Sequence, residues 1–542
     1  MIVYCKKIKY FIYRYYWLFI LLLAFLCEAA IIFKGAWNFF HSDDSTVITL
    51  AFEQWNQKKI YPVDWCYGTS LWNFGLNTLA LPFLKICKHW ISARAAAVVL
   101  QTAIMLFLIW CFKKSEVLGK YFWISSLLML LPISEVITEH WYFQATYMTE
   151  IICLIMLIVL TLYIMKNGKA KCLAASICLI FLLSIKIETS FIMLLVFVAP
   201  MLATLVLYAI YQSHYQKIVF WKYCLAGGII AVGTIIGYIR YNSMIGTLNM
   251  TRSAMGGFRF ILFADMGESL LNLWNGFLRL YGASDQVQDL LTLGGVNKAI
   301  AFVYLLLMLL VVPVCIKRNF SKLRTDNQKI FFIFSLISTF AVMWIFLFTG
   351  MKASRYLIWI YFYSIINLGI LIDNIDGFHF TFAKEYKVGF IIFFLVMNLG
   401  CYTYYMTYDY EANPDLLGIN DGYRPYKLDW ELLDYMEQKG YTCGFSYYWA
   451  SYNYMVASDG RIRMAALVEN DWSRPFYWLN SKRWYEMEDE NGECFLLVPN
   501  SKMEIVPVEY AEKADRKDEY HDHTIFIYKG IDVLKEIWEK NK

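Results

Sequence analysis

The hydrophobic and polar positions of this chain follow two regimes. Up to about residue 407, apolar residues run on without interruption at 15–33, 92–112, 121–138, 150–165, 172–187, 190–212, 222–240, 299–316, 330–350, 356–373 and 388–407. A bilayer takes roughly 20 apolar residues per helix, so these eleven runs predict about eleven transmembrane helices. The stretch 71–89 is weaker, broken by Asn73, Asn77, Pro82, Lys85 and Lys88, and reads as juxtamembrane or re-entrant. In the first loop, 34–70, Val47, Ile48, Ala51, Phe52 and Trp55 fall on one helical face. They predict an N-capped amphipathic helix lying on the membrane. Beyond residue 407 the pattern shortens. Trp430, Leu433 and Met436/Glu437 recur at helical spacing within Lys427–Gly440, with Gly440 as the stop. Short runs at Thr442–Tyr447, Arg461–Leu467, Glu493–Val498 and His523–Tyr528 read as strands. The prediction is a mainly α polytopic membrane domain over 1–407 and an extracytoplasmic α/β domain over 408–542.

Composition sharpens this. Hydrophobic residues make up 59% and charged residues only 17% of the 542 positions, where soluble chains carry about a quarter charged. An ordinary soluble enzyme and a disordered chain are both excluded. The net charge of +5 hides an asymmetry: residues 1–407 hold 33 Lys+Arg against 18 Asp+Glu, and the tail holds 16 against 26. Alternate loops carry Lys113, Lys114 and Lys120, then Lys166, Lys169 and Lys171, then Lys217 and Lys222. The series continues with Lys317, Arg318, Lys322, Arg324 and Lys329, then Lys384 and Lys387. Together with Lys6, Lys7, Lys9 and Arg14, this positive-inside pattern puts the N-terminus in the cytoplasm and the acidic tail outside. Cys27-Glu28-Ala29 is a poor cleavage site, so the first run reads as an uncleaved anchor. Most of the thirteen cysteines lie inside apolar runs and no CxxC occurs. Pairing of Cys443 with Cys494 stays open.

The charges left over gather at the predicted outer face. His41, Ser42, Asp43 and Asp44 follow span one. Adjacent acids at the mouth of a span should include one with a raised pKa, suited to general-base work. Ser42 or Asp43 equally reads as a helix cap. The second outer loop offers Glu139, His140, Trp141, Tyr142 and Glu150, and Glu150 also suits a helix N-terminus as an anion. Lys186 and Glu188 interrupt the end of span five, where charge is costly and usually functional, although a terminal lysine can snorkel. The loop 241–298 adds Arg252, Arg259, Asp265, Glu268 and Arg279. Arg355-Tyr356 opens span ten, either as a planar fork for a phosphate or as an interfacial anchor.

The order of these features resembles membrane glycosyltransferases of the GT-C fold, in the branch of the bacterial protein O-mannosyltransferase and lipid A aminoarabinose transferase relatives. The tail segments Tyr447-Tyr448-Trp449-Ala450-Ser451 and Trp478-Leu479-Asn480 are also similar. No His-Pro-Pro segment follows the first-loop acids, and no Trp-Trp-Asp is present. The resemblance implies a polyprenyl-phosphate-linked sugar as donor and an inverting transfer to an envelope glycan, lipid or protein, with no nucleic acid involved. It makes Asp44, ahead of Asp43, the general base and Glu150 the second acid, with Glu139 as its rival. Lys186, Arg355 and Tyr356 fall to substrate binding, with His140 and Glu188 beside them. No cofactor is required, and a divalent cation on two carboxylates is compatible with the residues. Two other readings fit the same segments: a transporter or lipid flippase, though no related halves are visible, and an inactive GT-C-like assembly protein.

Overall fold

A computed structural model describes residues 2–38, 42–68, 70–72, 74–166, 169–213, 217–250, 260–283, 291–378, 383–407 and 428–540. Among these residues, nine helices are long and apolar enough to cross a membrane, and a tenth is counted if one bent pair is a single span. The protein is a multi-pass membrane protein. The bent pair is the run expected at 121–138: Phe122–Leu130 and Glu135–Phe143 meet at 94°. Pro132 lies between them, and proline neither donates to a helix ladder nor lets the preceding residue stay helical. The break is repaired locally. Ser134 accepts from the Ile137 N–H at 3.3 Å to start the second helix, and the Tyr142 hydroxyl reaches the carbonyls of Met129 (3.3 Å) and Leu130 (3.0 Å). The run at 388–407 lies within helix Ala383–Thr407. The stretch 71–89 holds only the helix Leu76–Ile86, too short to cross.

The chain packs as two compact units. One comprises Met1–Ile31, Gln101–Tyr241 and Phe258–Tyr423. Its central helix, Ile358–Asn374, is buried at every residue, as a helix apolar on all faces must be. Several of its polar groups are paired, Tyr363 with Ser338 (2.8 Å), Asn367 with Ser335 (3.0 Å) and Asn374 with Gln328 (3.0 Å), while Trp359 Nε1 and the Tyr361 hydroxyl have no hydrogen-bond partner among the described residues. Asp373 accepts from the backbone N–H groups of Gly119 and Tyr121. A Cβ on Gly369 would lie 2.4 Å from Ser125 Oγ, so glycine lets helix Phe122–Leu130 approach this closely.

The second unit comprises Ile32–Leu100, Asn242–Gly257 and Arg424–Lys542. Its strands are β1 (Trp65–Tyr67), β2 (Asn249–Met250), β3 (Cys443–Tyr447), β4 (Arg463–Leu467), β5 (Asn480–Ser481), β6 (Glu493–Pro499), β7 (Arg516–Tyr520) and β8 (His523–Lys529). Five form one mixed sheet in the order β4-β3-β6-β8-β7, with β3 parallel to β4 and β6, and β8 antiparallel to β6 and β7. The four expected strands are its inner members and one edge. The edge strand β7 was not expected, because its sequence RKDEY has no apolar alternation; charged, largely exposed edges discourage further pairing. A small sheet joins β1 to β2 and β5. The expected helix runs Trp430–Gln438, capped by Asp429 on the Leu432 N–H at 3.0 Å and stopped by Gly440 at φ +77°; Lys427 lies outside the described residues. Cys443 and Cys494 are free, buried thiols.

The first-loop helix Ser42–Gln57 belongs to this unit and corrects one expectation. It does not present a single apolar face: Ser42, Asp44, Ser45, Thr49, Glu53 and Gln54 are buried alongside Val47, Ile48, Leu50 and Ala51, while Trp55 is exposed. The reason is tertiary. Its polar side chains find partners in the C-terminal segment: Ser42 Oγ donates to the Tyr448 carbonyl (2.7 Å), Ser45 Oγ to Asn453 Oδ1 (2.7 Å), and Glu53 accepts from Arg483 and from Trp484 Nε1 (3.1 Å).

Candidate functional site

The adjacent acids of the first-loop helix have different surroundings, because successive helical residues point about 100° apart. Asp44 is wholly buried, with Arg94 Nη1 3.8 Å from its carboxylate. Arg94 is itself buried and donates from Nη2 to the Ala36 carbonyl at 3.1 Å. Asp43 is only half-buried, and its Oδ1 accepts a 2.5 Å hydrogen bond from the Tyr448 hydroxyl. One acid is therefore held as half of an interior ion pair. The other keeps access to solvent while its carboxylate is oriented by a phenol.

In the membrane unit the structure joins several residues that sequence had singled out separately. Glu150, four residues into helix Thr146–Lys166, meets Lys186 of helix Lys169–Thr189 at 2.9 Å. Only 2% of the Lys186 side chain is exposed against 23% for Glu150. Glu150 Oε2 has no hydrogen-bond partner among the described residues. Charge at this depth is tolerated because it is paired. Glu188, fully buried, accepts from Arg240 Nε at 2.5 Å. Glu139 and His140 are linked through Gln144, whose Nε2 donates to Glu139 at 2.8 Å while its Oε1 faces His140 Nδ1 at 2.8 Å. The Arg355 guanidinium lies over the Tyr356 ring at 5.6 Å, in the 3₁₀ turn Ser354–Leu357 that opens a span. Glu268, outside the spans, pairs with Lys352 at 2.8 Å, and that ammonium holds its carboxyl below the usual range.

Arg94, Gln144, Arg240 and Tyr448 were not recognised as partners from sequence. Arg94 carried a signal, as a charge within an otherwise apolar span. Arg240, the charge that closes the run 222–240, carried the same signal, whereas Gln144 carried none, because its partners are fixed by packing. Arg252, Arg259 and His41 lie outside the described residues. Among the described residues, no three or more His, Cys, Asp or Glu side chains form a metal-binding group.

Known structures supply the comparison. ArnT from Cupriavidus metallidurans in the apo state superposes with a TM-score of 0.56 at 10% identity, over 94% of this chain and 98% of that one. The same protein bound to undecaprenyl phosphate gives a TM-score of 0.52 at 11% identity, over 93% and 97%. No protein-family model and no curated relative matches the chain. The likeness is one of fold along nearly the whole length, and it gives this chain the GT-C architecture that the residue order implied.

Proposed function

We propose that the protein is an integral membrane glycosyltransferase that moves a sugar from a polyprenyl-phosphate carrier to an acceptor on the extracytoplasmic face. The observation that carries this reading is the full-length likeness to a structure bound to undecaprenyl phosphate, in a chain whose first-loop helix opens with two acids. Of those acids, Asp43 is the better base. Asp44 is buried against Arg94, whereas Asp43 is half-exposed, and a base must reach the proton it removes.

In this reading Asp43 takes the proton of an acceptor hydroxyl. The hydroxyl oxygen bonds to the anomeric carbon with inversion, and the bond from that carbon to the phosphate oxygen breaks, its electron pair leaving with the polyprenyl phosphate. Lys186 and Arg355 are the cations proposed to meet the charge that develops on the phosphate. Arg355 brings a planar fork suited to phosphate oxygens. Lys186 brings an ammonium already desolvated beside Glu150. Glu139, His140 and Glu188 stay as proposed substrate-binding residues, each held by its neighbour.

The test is to reconstitute the full chain in nanodiscs and supply polyprenyl-phosphate sugars labelled in the sugar. Release of free polyprenyl phosphate, together with label in an extracted envelope acceptor, supports the reading. Stable labelled donor across hexose and pentose carriers, with intact protein, overturns it.

A further inference from the structure

Tyr448 touches the first-loop helix twice. Its backbone carbonyl accepts from Ser42 Oγ at 2.7 Å, and its hydroxyl donates to Asp43 Oδ1 at 2.5 Å. One residue later in chain order from β3, it opens helix Tyr448–Ala457, which also supplies Asn453 to Ser45. The Tyr448 ring is buried and fixed edge-on by three aromatic rings: Trp449 at 4.9 Å, Tyr452 at 5.3 Å and Phe476 at 5.7 Å. A ring so enclosed has little rotational freedom, so its hydroxyl is a fixed point rather than an adaptable one.

We infer that Tyr448 is a positioning residue for Asp43, fixing one carboxylate oxygen and with it the direction of the carboxylate. This rests on the reading of Asp43 as general base. A carboxylate on a helix surface turns freely about its side-chain bonds, and a proton acceptor works only within hydrogen-bond reach of its donor. Clamping Oδ1 with a charge-assisted bond removes that freedom before substrate arrives. The C-terminal α/β region then acts directly on the reacting carboxylate, which gives it a part in the chemical step beyond any role in acceptor binding.

The side-chain and backbone contacts separate experimentally. Tyr448→Phe deletes only the hydroxyl and leaves both the ring packing and the Ser42 anchor in place. With the full chain in nanodiscs and a labelled polyprenyl-phosphate sugar, Tyr448→Phe is expected to lower kcat about tenfold or more. The KM for the lipid donor should stay within about twofold, and the unfolding temperature should not change. Unchanged kcat overturns the inference, as does a loss matched by a rise in KM or by lower stability, since either would make the contact merely structural. Asp43→Asn is measured alongside. If it transfers sugar at the normal rate, the parent reading fails whatever Tyr448→Phe does; if it is inactive while Tyr448→Phe is normal, only the positioning inference fails.

Discussion

Lys186 is withdrawn from solvent almost completely, yet its ammonium lies 2.9 Å from Glu150, a residue still about a quarter exposed. The pair is therefore asymmetric, and so are the consequences of breaking it. Removing the carboxylate strands a buried cation, which costs roughly 3 kcal/mol or more. Removing the lysine leaves a carboxylate that is only partly buried, at a cost of about 1 kcal/mol. Glu150→Ala should thus lower the unfolding temperature of the detergent-solubilised protein more than Lys186→Met does. Lys186→Met should instead show itself in transfer, slowed about tenfold through loss of a charged contact to phosphate. Thermal unfolding and donor turnover read these separately, and the reverse order of stabilities would refute the asymmetry.

The first-loop acids make a sharper contrast. Asp44→Asn disturbs an interior ion pair, and Arg94→Met leaves a buried carboxylate without its cation, costing about 3–5 kcal/mol. In both variants the loss of transfer should track the loss of folded protein. Asp43→Asn should unfold at the normal temperature and yet transfer about a hundredfold more slowly. Normalising turnover to folded protein decides the matter: a large catalytic defect in folded Asp44→Asn would return the base role to Asp44.

How much of this was legible beforehand follows from what periodicity can carry. Unbroken apolar length gave nine or ten of the eleven expected spans, the run at 388–407 being too short to count among the described residues, and apolar strands gave β3, β4, β6 and β8. A run such as 121–138 was visible as apolar, while its 94° bend was signalled only by Pro132. The strand β7 is charged along its length and was invisible. Lys186 and Glu188 stood out as charges that interrupt an apolar run, a signal that Arg94 and Arg240 carried as well. Which residues pair did not stand out, because pairing is decided by tertiary contacts; Asp43 and Tyr448 are 405 residues apart in the chain. The first-loop helix shows the same limit. Its polar residues read as a solvated face, but they are buried because Tyr448, Asn453, Arg483 and Trp484 supply their hydrogen bonds.

The C-terminal α/β region should be sensitive to acid through His523. Burial holds this imidazole below its ordinary value of 6.5, against the opposing pull of Asp429 and Asp522, and its Nδ1 has no hydrogen-bond partner among the described residues. An unfolded chain therefore binds the proton more readily than the folded one. The stability this contributes is fully present above about pH 6.5 and is lost as the pH falls through the lower folded value. Unfolding temperatures of the whole protein between pH 8 and pH 5 should fall on the acid side, and His523→Asn should flatten that part of the curve. An unchanged slope in the variant would assign the acid sensitivity to other groups.

The thiols of β3 and β6 offer a chemical check on the same region. Burial pushes Cys494 up to about 12 and raises Cys443 as well, so neither supplies the thiolate on which alkylation depends. With a maleimide at pH 7, peptide mapping by mass spectrometry should find both unmodified in the native protein and both modified after denaturation without reductant. Labelling of either in the native state would contradict the burial, and failure to label after denaturation would mean that they pair.

Glu28 carries the last expectation. It is buried within the first span, where its Oε2 accepts from the Tyr402 hydroxyl at 2.8 Å and its Oε1 has no hydrogen-bond partner among the described residues. Tyr402→Phe would leave both oxygens unsatisfied, a state that costs about 1–3 kcal/mol. Replacing both partners by apolar groups removes the unsatisfied atoms altogether and is close to neutral in such cases. Glu28→Leu alone strands the Tyr402 hydroxyl and should destabilise, yet the double variant Glu28→Leu/Tyr402→Phe should be more stable than Tyr402→Phe alone, an inversion that additivity of two destabilising changes forbids. Thermal unfolding of the unmodified protein, the two single variants and the double variant in one detergent tests this directly. A double variant at least as unstable as the sum of its parts would show that Glu28 has a role in the membrane unit beyond its bond to Tyr402.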